Sequence, residues 1–166
     1  MSQLFQLGLF LATDFISPDE EQAILASIPR PDATDTKERN SIFRYGRKHI
    51  YTNAFVSKVI PEPIQAVANR LVEKGLLDAV PTCVTVNQFH KGQIIRPHFD
   101  DPKCGPVITV LSLLSTATMR FHKGDETLPV ELPPRSLVQM RGDVRSAWQH
   151  SIDAVAEERY SVVFRL

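Results

Sequence analysis

Cys83-Val84-Thr85-Val86-Asn87-Gln88-Phe89 opens a succession of short segments in which β-branched, aromatic and other apolar residues crowd between turn residues. The pattern returns over residues 94–100, 107–114, 117–122, 128–132, 136–141, 147–151 and 159–165, with Gly, Pro and Asp between them. Short strands so spaced predict packed antiparallel sheets. Upstream of Pro81 the signals are helical. Ser17-Pro18-Asp19-Glu20 joins a capping serine, a proline at the first helical position and a glutamate able to close a capping box, which predicts a helix to about Ile28. A second helix is predicted over 63–74, where Ile64, Val67, Ala68 and Leu71 form one apolar stripe and Gly75 stands at the stop. Residues 30–40 carry no periodicity and read as a loop. Leu4 to Ala12 reads as a first strand, because a signal peptide would need a preceding basic residue and a cleavage site. Helices followed by many strands define an α+β class: a double-stranded β-helix, or jelly roll, with N-terminal helices packed on one sheet.

Composition bounds the function. The 166 residues suffice for one domain with one substantial core. Nineteen basic residues balance nineteen acidic ones, so no global field draws the chain to polyanions and any nucleic-acid binding must come from a local patch. Cys83 and Cys104 lack both zinc-like spacing and the density of a disulfide scaffold, which argues for a reducing, intracellular and cytoplasmic setting. No apolar run approaches a membrane span. A monomer is expected.

Chemistry is concentrated at His98-Phe99-Asp100 and at His150. Strand residues two apart share a face, so His98 and Asp100 can grip one metal while His150 arrives from another strand. Two imidazoles and a carboxylate form the facial triad of non-haem Fe(II) oxygenases, with positions left for a co-substrate and O2. The same alternation turns Asp101 away from His98. His90 and His122 read as ordinary packed or exposed histidines, since nothing completes a second metal site around them. In Arg159-Tyr160-Ser161-Val162-Val163-Phe164-Arg165 the two arginines share a face with Ser161 and Val163. Their backbones stand roughly 20 Å apart, at about 3.3 Å per residue, so both long side chains must lean inward to hold a small dianion.

Asn87-Gln88-Phe89, Gly92, Pro97-His98-Phe99-Asp100, Trp148-Gln149-His150-Ser151-Ile152, Arg159 and Arg165 together resemble the signatures of the AlkB-like Fe(II)/2-oxoglutarate dioxygenases. The stretch from Pro134 to His150 is most similar to the AlkB-like domain of enzymes that hydroxylate modified wobble uridine in transfer RNA, and Asp14 to Gln22 looks like the family's opening. The resemblance covers nearly the whole chain. It implies Fe(II) held by His98, Asp100 and His150, 2-oxoglutarate as co-substrate and O2 as oxidant, with succinate and CO2 as products. Arg159 would pair with the distal carboxylate of 2-oxoglutarate, Arg165 would support its C1 end, and Asn87 would hydrogen-bond it. Phe89 and Ser161 depart from the family's frequent tyrosine and asparagine, each losing a hydrogen-bonding group beside the co-substrate.

The basic and aromatic stretch Arg39 to Tyr51, with Arg39, Arg44, Tyr45, Arg47 and Lys48, matches in position the family's nucleotide-recognition lid. The chain would then divide into an N-terminal helical part and substrate lid over 1–80 and a jelly-roll core over 81–166. Basic side chains position phosphates and aromatic rings stack splayed bases, so a modified or alkylated base in single-stranded RNA or DNA is the expected substrate, RNA ahead of DNA. Two other readings stay open: an oxygenase of a protein or small molecule, and a non-catalytic jelly-roll binding module.

Overall fold

The computed structural model describes residues 2–29, 41–46, 55–57 and 59–165. Strand alternation generates two sheets that share one interior. The larger comprises β1 (Leu9–Ala12), β2 (Ser41–Gly46), β3 (Phe55–Ser57), β4 (Cys83–Phe89), β6 (Ile108–Leu113), β9 (Leu137–Met140) and β11 (Arg159–Arg165), in the order β1-β9-β6-β11-β4-β2-β3. The smaller comprises β5 (Ile95–His98), β7 (Ala117–Lys123), β8 (Glu126–Leu132) and β10 (Gln149–Ile152), in the order β5-β10-β7-β8. Phe89, Val110, Val138 and Val163 from the first sheet pack with Met119, Phe121, Val130 and Ile152 from the second. This is the expected double-stranded β-helix.

The helices cover the opposite face of the larger sheet. In α2 (Pro18–Ser27) the Ser17 side chain accepts from the Glu20 amide while the Glu20 carboxylate accepts from the Ser17 amide, so the predicted capping box is formed. The same carboxylate pairs with Arg70 of α3 (Glu62–Glu73), which binds the two helices together and holds the Glu20 pKa down at about 2. Ile64, Val67, Ala68 and Leu71 of α3 and Ile24 of α2 pack on Phe43, Tyr45, Val84, Val86, Val162 and Phe164.

The N-terminal part is less purely helical than its sequence reads. It supplies β1 to one edge of the larger sheet and β2 and β3 to the other. Leu4 to Ala12 is not one strand: a short helix α1 (Ser2–Gln6) precedes β1, and Gly8 turns the chain between them at φ +109°. Near the C-terminal end a short helix α4 (Gly142–Ser146) precedes β10, too brief to leave a periodic signal in the sequence.

Candidate active site

β5 and β10 run antiparallel with His98 opposite His150, which brings the imidazole centroids to 4.3 Å. Ile95 pairs with Ile152, so three steps on β5 match two on β10. That bulge lets Ile95 and His98 line one cavity although strict alternation would separate them. Asp100 follows two residues beyond His98, after the strand has ended, and its Oδ2 lies 3.6 Å from His150 Nε2. One ligand atom from each of His98, Asp100 and His150 falls within 4.8 Å of the others. Asp101 takes no part: its carboxylate accepts from the Lys103 amide at 2.8 Å and caps the 3₁₀ turn Pro102–Cys104.

Protonation favours metal binding. His98 Nδ1 lies 2.9 Å from the Arg96 carbonyl, which can only accept, so Nδ1 carries a proton and Nε2 is the nitrogen left for a metal. Burial drives the His150 pKa from 6.5 down to about 4, against the pull of Asp100, and leaves a neutral imidazole at pH 7. Arg165 reaches the other side of the carboxylate, with Nη2 at 3.4 Å from Asp100 Oδ1, and donates from Nη1 to Thr85 Oγ1 at 2.8 Å. Two imidazoles, that of His150 neutral, and one carboxylate suit Fe(II).

The triad lines a cavity of about 140 Å³ between the sheets together with Asn87, Phe89, Arg159, Ser161 and Arg165 and several apolar side chains. Alternation puts them there: in the β11–β4 ladder Arg159 faces Phe89 and Ser161 faces Asn87. The Asn87 amide donates to Ser161 Oγ at 3.3 Å. Arg159 is the anomaly. It is 1% exposed, lies over the Phe89 ring at 5.2 Å, donates once to Ser112 Oγ and leaves Nε without a partner. It makes no ion pair among the described residues, and desolvation lowers its pKa only to about 10, so it stays charged. A buried guanidinium without an anion is costly, and an anionic ligand would supply what is missing. Phe89, which departs from the family's frequent tyrosine, supplies the aromatic face beneath that cation.

Of the residues expected to meet the substrate, two, Arg44 and Tyr45, fall among the described residues. Arg39, Arg47 and Lys48 lie outside the described residues. Arg44 and Tyr45 are adjacent on β2 and therefore point to opposite faces of the larger sheet. Arg44 pairs in register with Thr85 on the cavity side, whereas the Tyr45 ring is 3% exposed in the helix-side core. The sequence expectation for Tyr45 as a stacking ring is corrected accordingly: strand alternation buries it against the helices. Gly46 has a local cause as well, since at φ +99° an added Cβ would stand 1.9 Å from the Thr82 carbonyl oxygen. His122 bonds Ser151 and Thr127 on the outer face of the smaller sheet, away from the triad. Cys83 and Cys104 are buried thiols outside any disulfide, and desolvation raises both pKa values, so neither is primed as a nucleophile. Arg145 of α4, given no role by the sequence reading, donates to the carbonyls of Asp100 and Asp101. Its spacing from them in the chain offers no hint of that contact.

A jelly roll that gathers an iron-binding triad and a sequestered cation around one small cavity defines a class, the non-haem iron oxygenases that take an anionic co-substrate. Residues 10–165 match the model of the 2OG-Fe(II) oxygenase superfamily, and the chain belongs to that superfamily as an AlkB-like member whose cofactors are Fe(II), 2-oxoglutarate and O2. It is 33% identical over 156 residues to the tRNA (carboxymethyluridine(34)-5-O)-methyltransferase alkbh8 of Xenopus tropicalis, spanning 87% of this chain and a quarter (25%) of that protein. An uncharacterized protein, L905, of Acanthamoeba polyphaga mimivirus is 28% identical over 87% of this chain and 72% of its own length. Among solved structures, OsALKBH1 superposes with a TM-score of 0.67 at 15% identity, covering 96% of this chain and 98% of that one. A Pseudomonas putida prolyl-4-hydroxylase does so with a TM-score of 0.67 at 18% identity, over 99% and 95%. These last two likenesses concern the fold. No helix among the described residues is long and apolar enough to cross a membrane.

Proposed function

We propose that this domain oxidises a modified or alkylated base in nucleic acid, RNA ahead of DNA, by Fe(II)- and 2-oxoglutarate-dependent hydroxylation or oxidative demethylation. The observation that carries the co-substrate reading is Arg159, a buried guanidinium with no counter-ion among the described residues, at the wall of the cavity that holds the triad. His98, Asp100 and His150 hold the metal. Arg159 takes the distal carboxylate of 2-oxoglutarate, with Asn87 and Ser161 offering polar groups along its length and Arg165 close to the metal-bound end. When bound, iron and 2-oxoglutarate supply the oxidative decarboxylation that activates O2 against a substrate C–H bond. The chain's own contribution is to keep the His150 imidazole neutral and to hold Asp100 beside both histidines at a cavity too small for a nucleotide.

The substrate reading rests on the Xenopus relative, whose name places its action on uridine 34 of transfer RNA, and on the basic stretch Arg39 to Lys48. Arg39, Arg47 and Lys48 supply the phosphate contacts in this proposal, since Arg44, at 8% exposure, is buried as Tyr45 is. The test is incubation with Fe(II), 2-oxoglutarate and short RNA and DNA strands carrying methylated or carboxymethylated bases, scored by succinate formation and by strand mass. The expected result is succinate together with a mass change on at least one RNA. Succinate without any change on nucleic acid, but with a change on peptides, would transfer the activity to protein. Absence of iron-dependent succinate would leave only a binding module.

A further inference from the structure

The carboxylate of the triad is carried by a segment that no sheet supports. β5 ends at His98 and the 3₁₀ turn starts at Pro102, so Phe99, Asp100 and Asp101 lie outside any strand. What grips them is Arg145. Its guanidinium, in a residue 8% exposed, donates from Nη1 to the Asp100 carbonyl at 3.1 Å and from Nη2 to the Asp101 carbonyl at 2.9 Å. The same residue belongs to α4, the turn that leads directly into β10 and His150. It has no carboxylate partner among the described residues, so its hydrogen-bonding capacity goes to backbone oxygens.

We infer that Arg145 is a positioning residue of the metal centre: it staples the loop bearing the carboxylate ligand to the turn that delivers the distal histidine. The inference rests on the reading of His98, Asp100 and His150 as ligands. The physical reason is that a ligand on an unpaired loop must lose backbone freedom each time a metal binds, and a clamp already in place removes that loss in advance. A planar fork is needed. Its two nitrogens meet two successive carbonyls, an arrangement that a single ammonium does not reproduce. Arg165 steadies the Asp100 side chain from its own side, so the carboxylate is held at the backbone by one arginine and at its oxygen by another.

Two features make the inference testable. Arg141, in the same region, is exposed and donates to the Leu76 carbonyl at 3.2 Å, far from the triad in its contacts, and so serves as a matched control. Arg145 also lines an open groove of about 640 Å³ with Phe99, Pro102 and Pro106, which gives a small cation a route to its position.

The experiment is a Co(II) titration of the full chain followed by the visible absorption of the bound ion. Arg145→Lys and Arg145→Ala are expected to weaken Co(II) binding by about 10- to 100-fold, the usual effect of losing a residue that orients a ligand. They should also alter the absorption bands, and methylguanidinium at non-denaturing concentration should restore much of the affinity of Arg145→Ala. Arg141→Lys should behave as the parent chain. Wild-type Co(II) affinity and spectrum in both Arg145 variants, with binding lost in Asp100→Ala, would overturn the clamp and leave the triad standing. Affinity lost only in proportion to a lowered unfolding temperature, with unchanged bands and no rescue, would also overturn it. Undiminished binding in both His98→Ala and Asp100→Ala would instead sink the triad reading itself.

Discussion

The two faces of the larger sheet are cut from the same strands yet share almost no chemistry. On the helix side, Phe43, Tyr45, Val84, Val86, Val162 and Phe164 form a continuous apolar layer under α2 and α3. On the cavity side, the residues between them are Thr85, Asn87, Arg159, Ser161 and Arg165, interrupted by Phe89 and Val163. One face stabilises by removing apolar area from water, and the other keeps a buried cation that costs stability unless a ligand neutralises it. A period of two thus lets seven consecutive residues, Arg159 to Arg165, serve folding and binding at once.

The sharpest way to break this division lies at the triad. Asp100→Ala should abolish iron-dependent 2-oxoglutarate turnover while Asp101→Ala retains most of it, measured as succinate released per minute. Equal losses would mean that Asp101 does more than cap its turn. Next in size is a contrast across β11. Phe164→Ala should cost about 3–5 kcal/mol in urea unfolding, as for other buried aromatics, and leave the KM for 2-oxoglutarate nearly unchanged. Arg159→Leu should do the reverse: its KM should rise by about 30-fold or more, the equivalent of roughly 2–5 kcal/mol for truncating a buried charge pair, with stability equal or higher. If Arg159→Leu unfolds the protein as readily as Phe164→Ala does, the cavity face is structural after all.

A smaller effect follows from His150. Its folded pKa is about 4 and its unfolded value about 6.5, so between these pH values the unfolded chain binds more protons than the folded one. Stability of the metal-free protein should therefore fall as pH drops from 6.5 toward 4, and His150→Gln should flatten that slope. Glu20 acts in a lower window, with stability lost as pH falls from about 4.5 toward about 2. Chemical unfolding at stepped pH separates the two. Smallest of all, Ser161→Ala removes the hydroxyl that receives the Asn87 amide and should weaken 2-oxoglutarate binding by at most about tenfold, or roughly 0.5–1.5 kcal/mol.

Local signals were legible where physics acts over a few residues. The capping box at Ser17 and Glu20, the stripe of α3 and the span of β11 from Arg159 to Arg165 all stand as the sequence predicts. The triad was legible because a metal demands particular side chains, and their identities survive any uncertainty about strand ends. Tyr45 was misread for a complementary reason. An aromatic residue in a basic stretch looks the same on paper whether its ring stacks on a base or packs on a helix, and only the register with β4 decides.

The sequence by itself determined the class of chemistry, through two histidines, an aspartate and a pair of arginines, and it determined the helix caps and the alternating strands, because these depend on residue type and short-range spacing. Only the tertiary structure decided that Arg159 is buried without a counter-ion among the described residues, that a bulge in β5 aligns Ile95 and His98, and that Arg145 holds the loop of Asp100. Those facts come from pairing between segments distant in the chain, where backbone carbonyls and desolvation leave no mark in the order of the residues.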